Sequence, residues 1–554
     1  MEKAQQNKLN NLYSYLLLFL FVSPSILWIS LDQRVWPWDQ AWYGQVSVEL
    51  FYKLTHSPIS WAKDMISAFG IKAPGTAWLG QLFVPIGNLI GSIEIGLLAS
   101  TVLTQFCSLV LIYQIVSKLT SSRLITIICC LFAASSPLSV ALTHQYLVEP
   151  LQYLSVTWIV LITVFSPDWQ TKRTLLHLIS AISLSMLAKI TSPLYSFLAV
   201  LLILYNIWKN RNIDKNNKIN INNSKPQYIN AISKSGFLAL TAFVLASGFL
   251  LWYGKNLQTI LSFTMLASSG EASLLYGEKA DFFRKLQFWL PSFQKSFFSS
   301  TCLISTFVLL GYIAAKKVLK IKNKVRFYKP SYFDILAIVS LFQIVLVLCL
   351  FSLNVNQENR YLLPLLPYLV IILSWILKRT RQKLIVIFFA LILTSQFFFV
   401  QSQALGLTLP NSDFSYWLYA FDRSISNKKL LADVVNTTCK QEGNERYNII
   451  GLELTWFNAN SASYYSSKQL LSPQEIHCYY TPLGYADKDI ERAWKRLLDL
   501  KINFFITLKT ELHPNDPFNQ TSLPILERIQ KSSQFTLYPS TDNDSVLLYK
   551  NITN

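Results

Sequence analysis

Apolar runs recur along the chain to about position 403, separated by short polar returns, and the pattern then changes. A helix needs roughly 20 apolar residues to cross about 30 Å of hydrocarbon. Windows of that kind fall near 12 to 30, 95 to 116, 124 to 142, 146 to 165, 174 to 190, 192 to 208, 235 to 253, 299 to 315, 333 to 353, 361 to 377 and 384 to 402. They predict a polytopic α-helical membrane protein with about 11 transmembrane helices. The first window is too long for a signal-peptide core and runs into Trp-rich sequence, so it is expected to remain as a signal anchor.

From 410 to 554 short β-like runs alternate with helical stretches, which predicts a separate soluble α/β domain. Strands are expected at 446 to 452, 502 to 507, 534 to 538 and 545 to 550, with helices at 455 to 467 and 487 to 500. Residues 1 to 403 form the membrane domain, with a first outer loop at 31 to 93 and a second at 254 to 298. The second is expected to carry interfacial helices near Phe282-Phe283 and Phe288-Trp289 and to act as a lid.

Composition agrees, with 52% hydrophobic and only 14% charged residues. The net charge of +19 does not point to nucleic acid, because the basic residues sit beside spans and not on one soluble face. They cluster at alternate loops, at Lys118 and Arg123, Lys172 and Arg173, Lys209 to Lys218, Lys316 to Arg326 and Lys378 to Lys383. The positive-inside rule makes those loops cytoplasmic. It puts the N-terminus in the cytoplasm and the 410 to 554 domain outside, in a membrane expected to be a bacterial inner or plasma membrane. Cys439 and Cys478 in the tail are candidates for a disulfide if that side is oxidising, with two free thiols as the alternative. No CxxC or His-rich spacing suggests structural zinc.

Candidate chemistry concentrates in the first outer loop. Trp36-Pro37-Trp38-Asp39-Gln40-Ala41-Trp42-Tyr43 opens it and Lys72-Ala73-Pro74-Gly75 with Trp78-Leu79 closes it. A carboxylate and an ammonium return to the membrane surface from opposite ends of one excursion, which suits an anionic, lipid-linked substrate. Further along lie Tyr146-Leu147-Val148-Glu149-Pro150 and Glu358-Asn359-Arg360-Tyr361-Leu362-Leu363-Pro364-Leu365-Leu366-Pro367.

This ordered set resembles the membrane-embedded glycosyltransferases of the GT-C superfamily, in the branch of protein O-mannosyltransferases and the aminoarabinose transferase of lipid A. That branch opens its first outer loop with Asp-Glu-x-x-Tyr, continues through a further Glu, here Glu49, and ends in Lys-Pro-Pro or a variant before an aromatic and Leu. The resemblance implies an inverting glycosyltransferase with a polyprenyl-phosphate sugar donor and a lipid, glycan or protein acceptor. Two positions depart from it: Gln40 replaces the second acid, and Ala73-Pro74 replaces Pro-Pro. The lost carboxylate makes a bound divalent cation less favoured here, so no cofactor is assigned.

The chemistry of such a reaction assigns roles independently. Asp39 is the candidate base, within reach of an apolar environment from Trp36, Trp38 and Trp42. Lys72 and Arg360 are candidates to hold the donor phosphate as its charge grows. Tyr43, Glu49, Glu149 and Tyr361 are second-tier substrate-binding candidates. Each has a plainer reading: Asp39 as a helix cap, Lys72 as a snorkelling span end, Arg360 as a partner of Glu358, Glu149 as a helix start and His144 as an ordinary loop residue. The competing functions are a lipid or polysaccharide transporter and a non-catalytic membrane assembly subunit. No internal repeat supports the first, and the informative charges lie at span ends and not at a midplane.

Overall fold

The computed structural model describes residues 2–217, 231–269, 271–321, 330–407, 423–439, 447–473, 477–484, 487–509, 516–539 and 545–552. The predicted start of the soluble domain at 410, Arg446, and the basic residues Lys218, Lys322, Lys324 and Arg326 lie outside them. The chain forms two compact units, each drawn from separated stretches. One comprises Met1–Ile29, Phe69–Thr76 and Leu98–Ala420; the other comprises Ser30–Ala68, Ala77–Leu97 and Phe421–Asn554.

The first unit is a bundle of apolar helices, and the protein is a multi-pass membrane protein. Each of the eleven apolar windows lies mainly on helix. Among the described residues seven helices are long and apolar enough to cross a membrane, or up to nine if each of two bent pairs is one span. The bent pairs are Arg123–Ser135 with Pro137–Thr143 (61°) and Phe282–Phe297 with Ser300–Lys316 (98°). The first break has a local cause: Pro137 lacks an N–H and disfavours helical backbone at Ser136, which sits at φ −62°, ψ 120°.

The segment expected to loop out from 254 differs from that reading. Helix Ala231–Ser269 runs through its first part, with no proline between 254 and 269 to break the helical pattern. A helix, Phe282–Phe297, covers the positions where interfacial helices were expected, and it is capped by the Asp281 carboxylate accepting from the Arg284 N–H. His144 also departs from its expectation. It is buried, stacked on Trp28 at 4.2 Å, with Nε2 3.0 Å from the Ser25 hydroxyl.

Helix Tyr332–Leu353 begins with a capping box in which Ser331 and Asp334 satisfy each other's backbone. Asp334 also accepts from Trp375 Nε1 at 2.7 Å and pairs with Arg379, which ties this helix to Leu366–Thr380. Between the two, Asn359–Leu365 is a 3₁₀ turn, with Pro364 inside it and Pro367 in the first turn of the next helix. That turn carries Arg360 and Tyr361.

The second unit holds a five-stranded sheet of β1 (Tyr447–Ile450), β2 (Tyr479–Pro482), β3 (Phe504–Leu508), β4 (Phe535–Tyr538) and β5 (Val546–Asn551), in the order β2-β1-β3-β5-β4. β1 runs parallel to β2 and β3, while β5 runs antiparallel to β3 and β4. Four of these strands match the sequence reading. β2 was not anticipated, because His477-Cys478-Tyr479-Tyr480-Thr481 has no alternating apolar pattern. Ile449, Phe505 and Ile502 pack with Ala493 and Leu497 of helix Ile490–Asp499 and Ile525 and Ile529 of helix Ser522–Lys531. Cys439 and Cys478 are joined by a disulfide across 39 residues of sequence.

Candidate functional site

In the membrane unit a charged cluster forms where three helix ends meet. Glu149 starts helix Glu149–Phe165 and is fully buried. Lys189, one residue past the end of helix Thr171–Ala188, donates from Nζ to Glu149 Oε1 at 2.8 Å. Arg360 brings Nε to 3.6 Å from the same oxygen and to 3.4 Å from Glu358 Oε2. The Tyr361 ring lies under both cations, 3.8 Å from Lys189 Nζ and 5.7 Å from the Arg360 guanidinium carbon. Tyr195 fixes that turn by donating to the Tyr361 carbonyl at 2.6 Å, and Tyr368 donates to the Tyr195 carbonyl at 2.5 Å. Glu149 Oε2 is buried with no hydrogen-bond partner among the described residues.

The Lys72 strap is packed into the same unit from two sides. Tyr146, three residues before Glu149, donates to the Thr76 carbonyl at 2.9 Å. Gly75 lies so close to the end of the Lys189-bearing helix that a Cβ there would stand 2.6 Å from the Leu187 carbonyl oxygen. Phe69 and Gly70 at φ 61° and 68° turn the chain into the strap, and Lys72 is half-buried on it. Of the sequence candidates, Glu149, Arg360 and Tyr361 are in one cluster, and the Lys72 strap is bonded to the turn before Glu149 and packed on the helix end before Lys189.

Lys189 itself was missed. Its signal was a lone lysine between two spans, on the side that the positive-inside rule leaves poor in cations. Arg360 does pair with Glu358, as the plainer reading had it, but it shares Glu149 as well.

Asp39, Tyr43 and Glu49 lie in the second unit, on helix Trp38–His56. Pro37 occupies the N-cap position without a side-chain cap, so Asp39 is not the cap but part of the first turn, where its charge faces the helix dipole. The preceding loop is held firmly. Trp36 stacks on Tyr464 at 5.1 Å, its carbonyl accepts from Ser461 Oγ at 2.6 Å, and Trp38 Nε1 donates to Glu453 Oε2 at 3.0 Å. Trp38 sits at φ 24°, a strained conformation of the kind that clusters at functional sites. Burial raises the Glu453 carboxyl to about 7. Tyr43 is buried, and its carbonyl accepts from Ser47. Glu49 accepts from Gln45 at 2.8 Å and lies 3.3 Å from His477 Nε2. Among the described residues no three His, Cys, Asp or Glu side chains are grouped as a metal-binding set.

Against solved structures, the chain aligns over 98% of its length with 98% of ArnT from Cupriavidus metallidurans in the apo state, at TM-score 0.56 and 12% identity. The chain has the GT-C fold. The same ArnT bound to undecaprenyl phosphate aligns over 97% of this chain and 98% of its own, at TM-score 0.55 and 12% identity. The archaeal oligosaccharyltransferase AglB from Archaeoglobus fulgidus, in complex with an inhibitory peptide and a dolichol-phosphate, aligns over 98% of this chain and 74% of its own, at TM-score 0.50 and 10% identity. No family pattern and no curated protein matches the sequence.

Proposed function

We propose that this GT-C-fold protein is a glycosyltransferase that moves a sugar from a polyprenyl-phosphate donor to an acceptor on the extracytoplasmic face, with inversion at the anomeric carbon. The observation that carries this reading is the pair of cations, Lys189 and Arg360, drawn together over Tyr361 by one buried carboxylate, with the Lys72 strap packed beside them. A polyprenyl tail stays among apolar helices while its phosphate needs cations at a helix-end depth, and these residues offer both. Two of the solved structures with this fold carry undecaprenyl phosphate and dolichol-phosphate. The Cys439–Cys478 disulfide supports an oxidising, extracytoplasmic location for its domain.

In the proposed step the acceptor oxygen or nitrogen attacks the anomeric carbon, and its proton passes to the Asp39 carboxylate. The bond from that carbon to the phosphate oxygen breaks, and its electron pair stays on the phosphate. Arg360 and Lys72 stabilise that growing charge, with Lys189 as a third cation. Glu149 positions Lys189 and Arg360, and its Oε2 is an acceptor suited to a sugar hydroxyl. We read the step as independent of a divalent ion, because Gln40 stands where the resembling branch carries a second acid.

The test is transfer by purified Asp39→Asn protein with an undecaprenyl-phosphate-linked sugar. Loss of a general base lowers the rate by about 10²- to 10⁴-fold, with donor binding and folding retained. A wild-type rate removes Asp39 as the base. Lys72→Ala weakens donor binding; unchanged affinity argues that the site is vestigial and favours the assembly-subunit reading.

A further inference from the structure

The second unit contains a cleft that the transfer step does not use. It has a volume of 580 Å³, within the range of small-ligand sites, and lies between helix Ser426–Cys439 and helix Ala459–Gln469. Lys428, Lys429 and Lys468 line it together with Gln33, Tyr465 and Gln469.

Three ammonium groups on one cleft repel one another unless something balances them. Glu94 provides part of that balance, with Oε1 2.7 Å from Lys468 Nζ and 3.9 Å from Lys428 Nζ. One carboxylate against three lysines leaves the cleft with excess positive charge. Lys468 is further held in place by the Tyr465 ring, 3.7 Å below its ammonium. Lys428 donates to Gln33 Oε1 at 3.4 Å, whereas Lys429 has an exposed side chain.

A second, independent observation points to a ligand. Tyr465 is 6% exposed, lines the cleft, and its hydroxyl has no hydrogen-bond partner among the described residues. A buried hydroxyl without a partner is costly, and a bound polar molecule relieves that cost. The combination of cations, amide groups and an unfilled phenol suits an anionic sugar: the lysines meet a phosphate or carboxylate, and the amides and phenol meet ring hydroxyls.

We propose that this cleft binds an acidic glycan, a phosphorylated or carboxylated sugar of the acceptor, through Lys428, Lys429, Lys468 and Tyr465. Calling the ligand an acceptor rests on the transferase reading, but the binding itself does not. The site is measured without donor, so its failure and the failure of transfer are read separately.

The experiment is binding of glucose 6-phosphate, glucuronate, glucose and inorganic phosphate to the full-length protein in nanodiscs, at low and high salt. Both acidic sugars are expected to bind at least about tenfold more tightly than glucose, and the preference to fall as salt screens the lysines. Lys428→Gln with Lys429→Gln removes the preference for acidic sugars, while Tyr465→Phe weakens glucose and glucose 6-phosphate by a similar factor. Lys429→Gln alone changes an exposed side chain, so it keeps the test valid if the double variant fails to fold. Equal affinity for glucose and glucose 6-phosphate, or a preference that survives the lysine variants, overturns the proposal. Inorganic phosphate binding as tightly as glucose 6-phosphate overturns the glycan assignment.

Discussion

Replacing Glu149 by Gln keeps the volume and one acceptor oxygen but removes the charge that Lys189 and Arg360 share. Both cations remain at their helix ends, Lys189 with 19% and Arg360 with 21% of the side chain exposed. Breaking a buried ion pair by removing one partner costs about 3–5 kcal/mol, because the surviving charge stays desolvated. Lys189 loses its carboxylate at 2.8 Å, whereas Arg360 keeps Glu358 at 3.4 Å, so the lower half of that range is expected. Equilibrium unfolding of the purified protein in mixed micelles measures it. A double variant, Glu149→Gln with Lys189→Met, removes one stranded cation and should recover about 0.5–3 kcal/mol of the loss, the usual coupling of contacting residues. Transfer should fall on the order of 10²-fold in the single variant, since displaced cations no longer meet the leaving phosphate. Stability of Glu149→Gln within about 0.5 kcal/mol of wild type, or no recovery in the double variant, refutes the argument.

Gly75→Ala places a Cβ against the Leu187 carbonyl oxygen and should destabilise by about 1–3 kcal/mol, with weaker donor binding as the Lys72 strap shifts; unchanged melting and unchanged donor affinity would show that the strap yields freely. Glu453 provides a pH test. Its folded value of about 7 lies above the ordinary 4.5, so the native state holds a proton that the unfolded chain releases between these values. Its contribution to stability is complete below pH 4.5 and is lost as pH rises through 7, a slope worth roughly 3 kcal/mol in all. Glu453→Gln should flatten that part of the stability profile and melt higher than wild type at pH 8; parallel profiles for the two proteins would exclude the effect.

How much of this was legible in the sequence depended on the range of the interaction concerned. The apolar windows needed only local composition, and all eleven lie mainly on helix; the bends at Ser136 and after Phe297 and the 17-residue length of Glu149–Phe165 reduced those that pass as straight spans. Strands β1, β3, β4 and β5 announced themselves by apolar or β-branched runs, whereas β2 is a strand because β1 offers it a parallel edge. Arg360, Tyr361 and Glu149 could be nominated from their neighbours in sequence. Lys189 could not, since its importance lies in a hydrogen bond to a residue 40 positions away.

The sequence by itself determined that this is a membrane-embedded helical protein with an α/β tail and charges kept at span ends, because transfer of apolar segments into lipid is settled segment by segment. Only the tertiary structure decided which charges meet. A carboxylate buried at a helix start is tolerable only where cations from other helices reach it, and Lys189 and Arg360 do so from positions no local pattern relates to Glu149. The lysine cleft has the same origin, for Glu94 and Lys468 lie 374 residues apart and are joined only by folding.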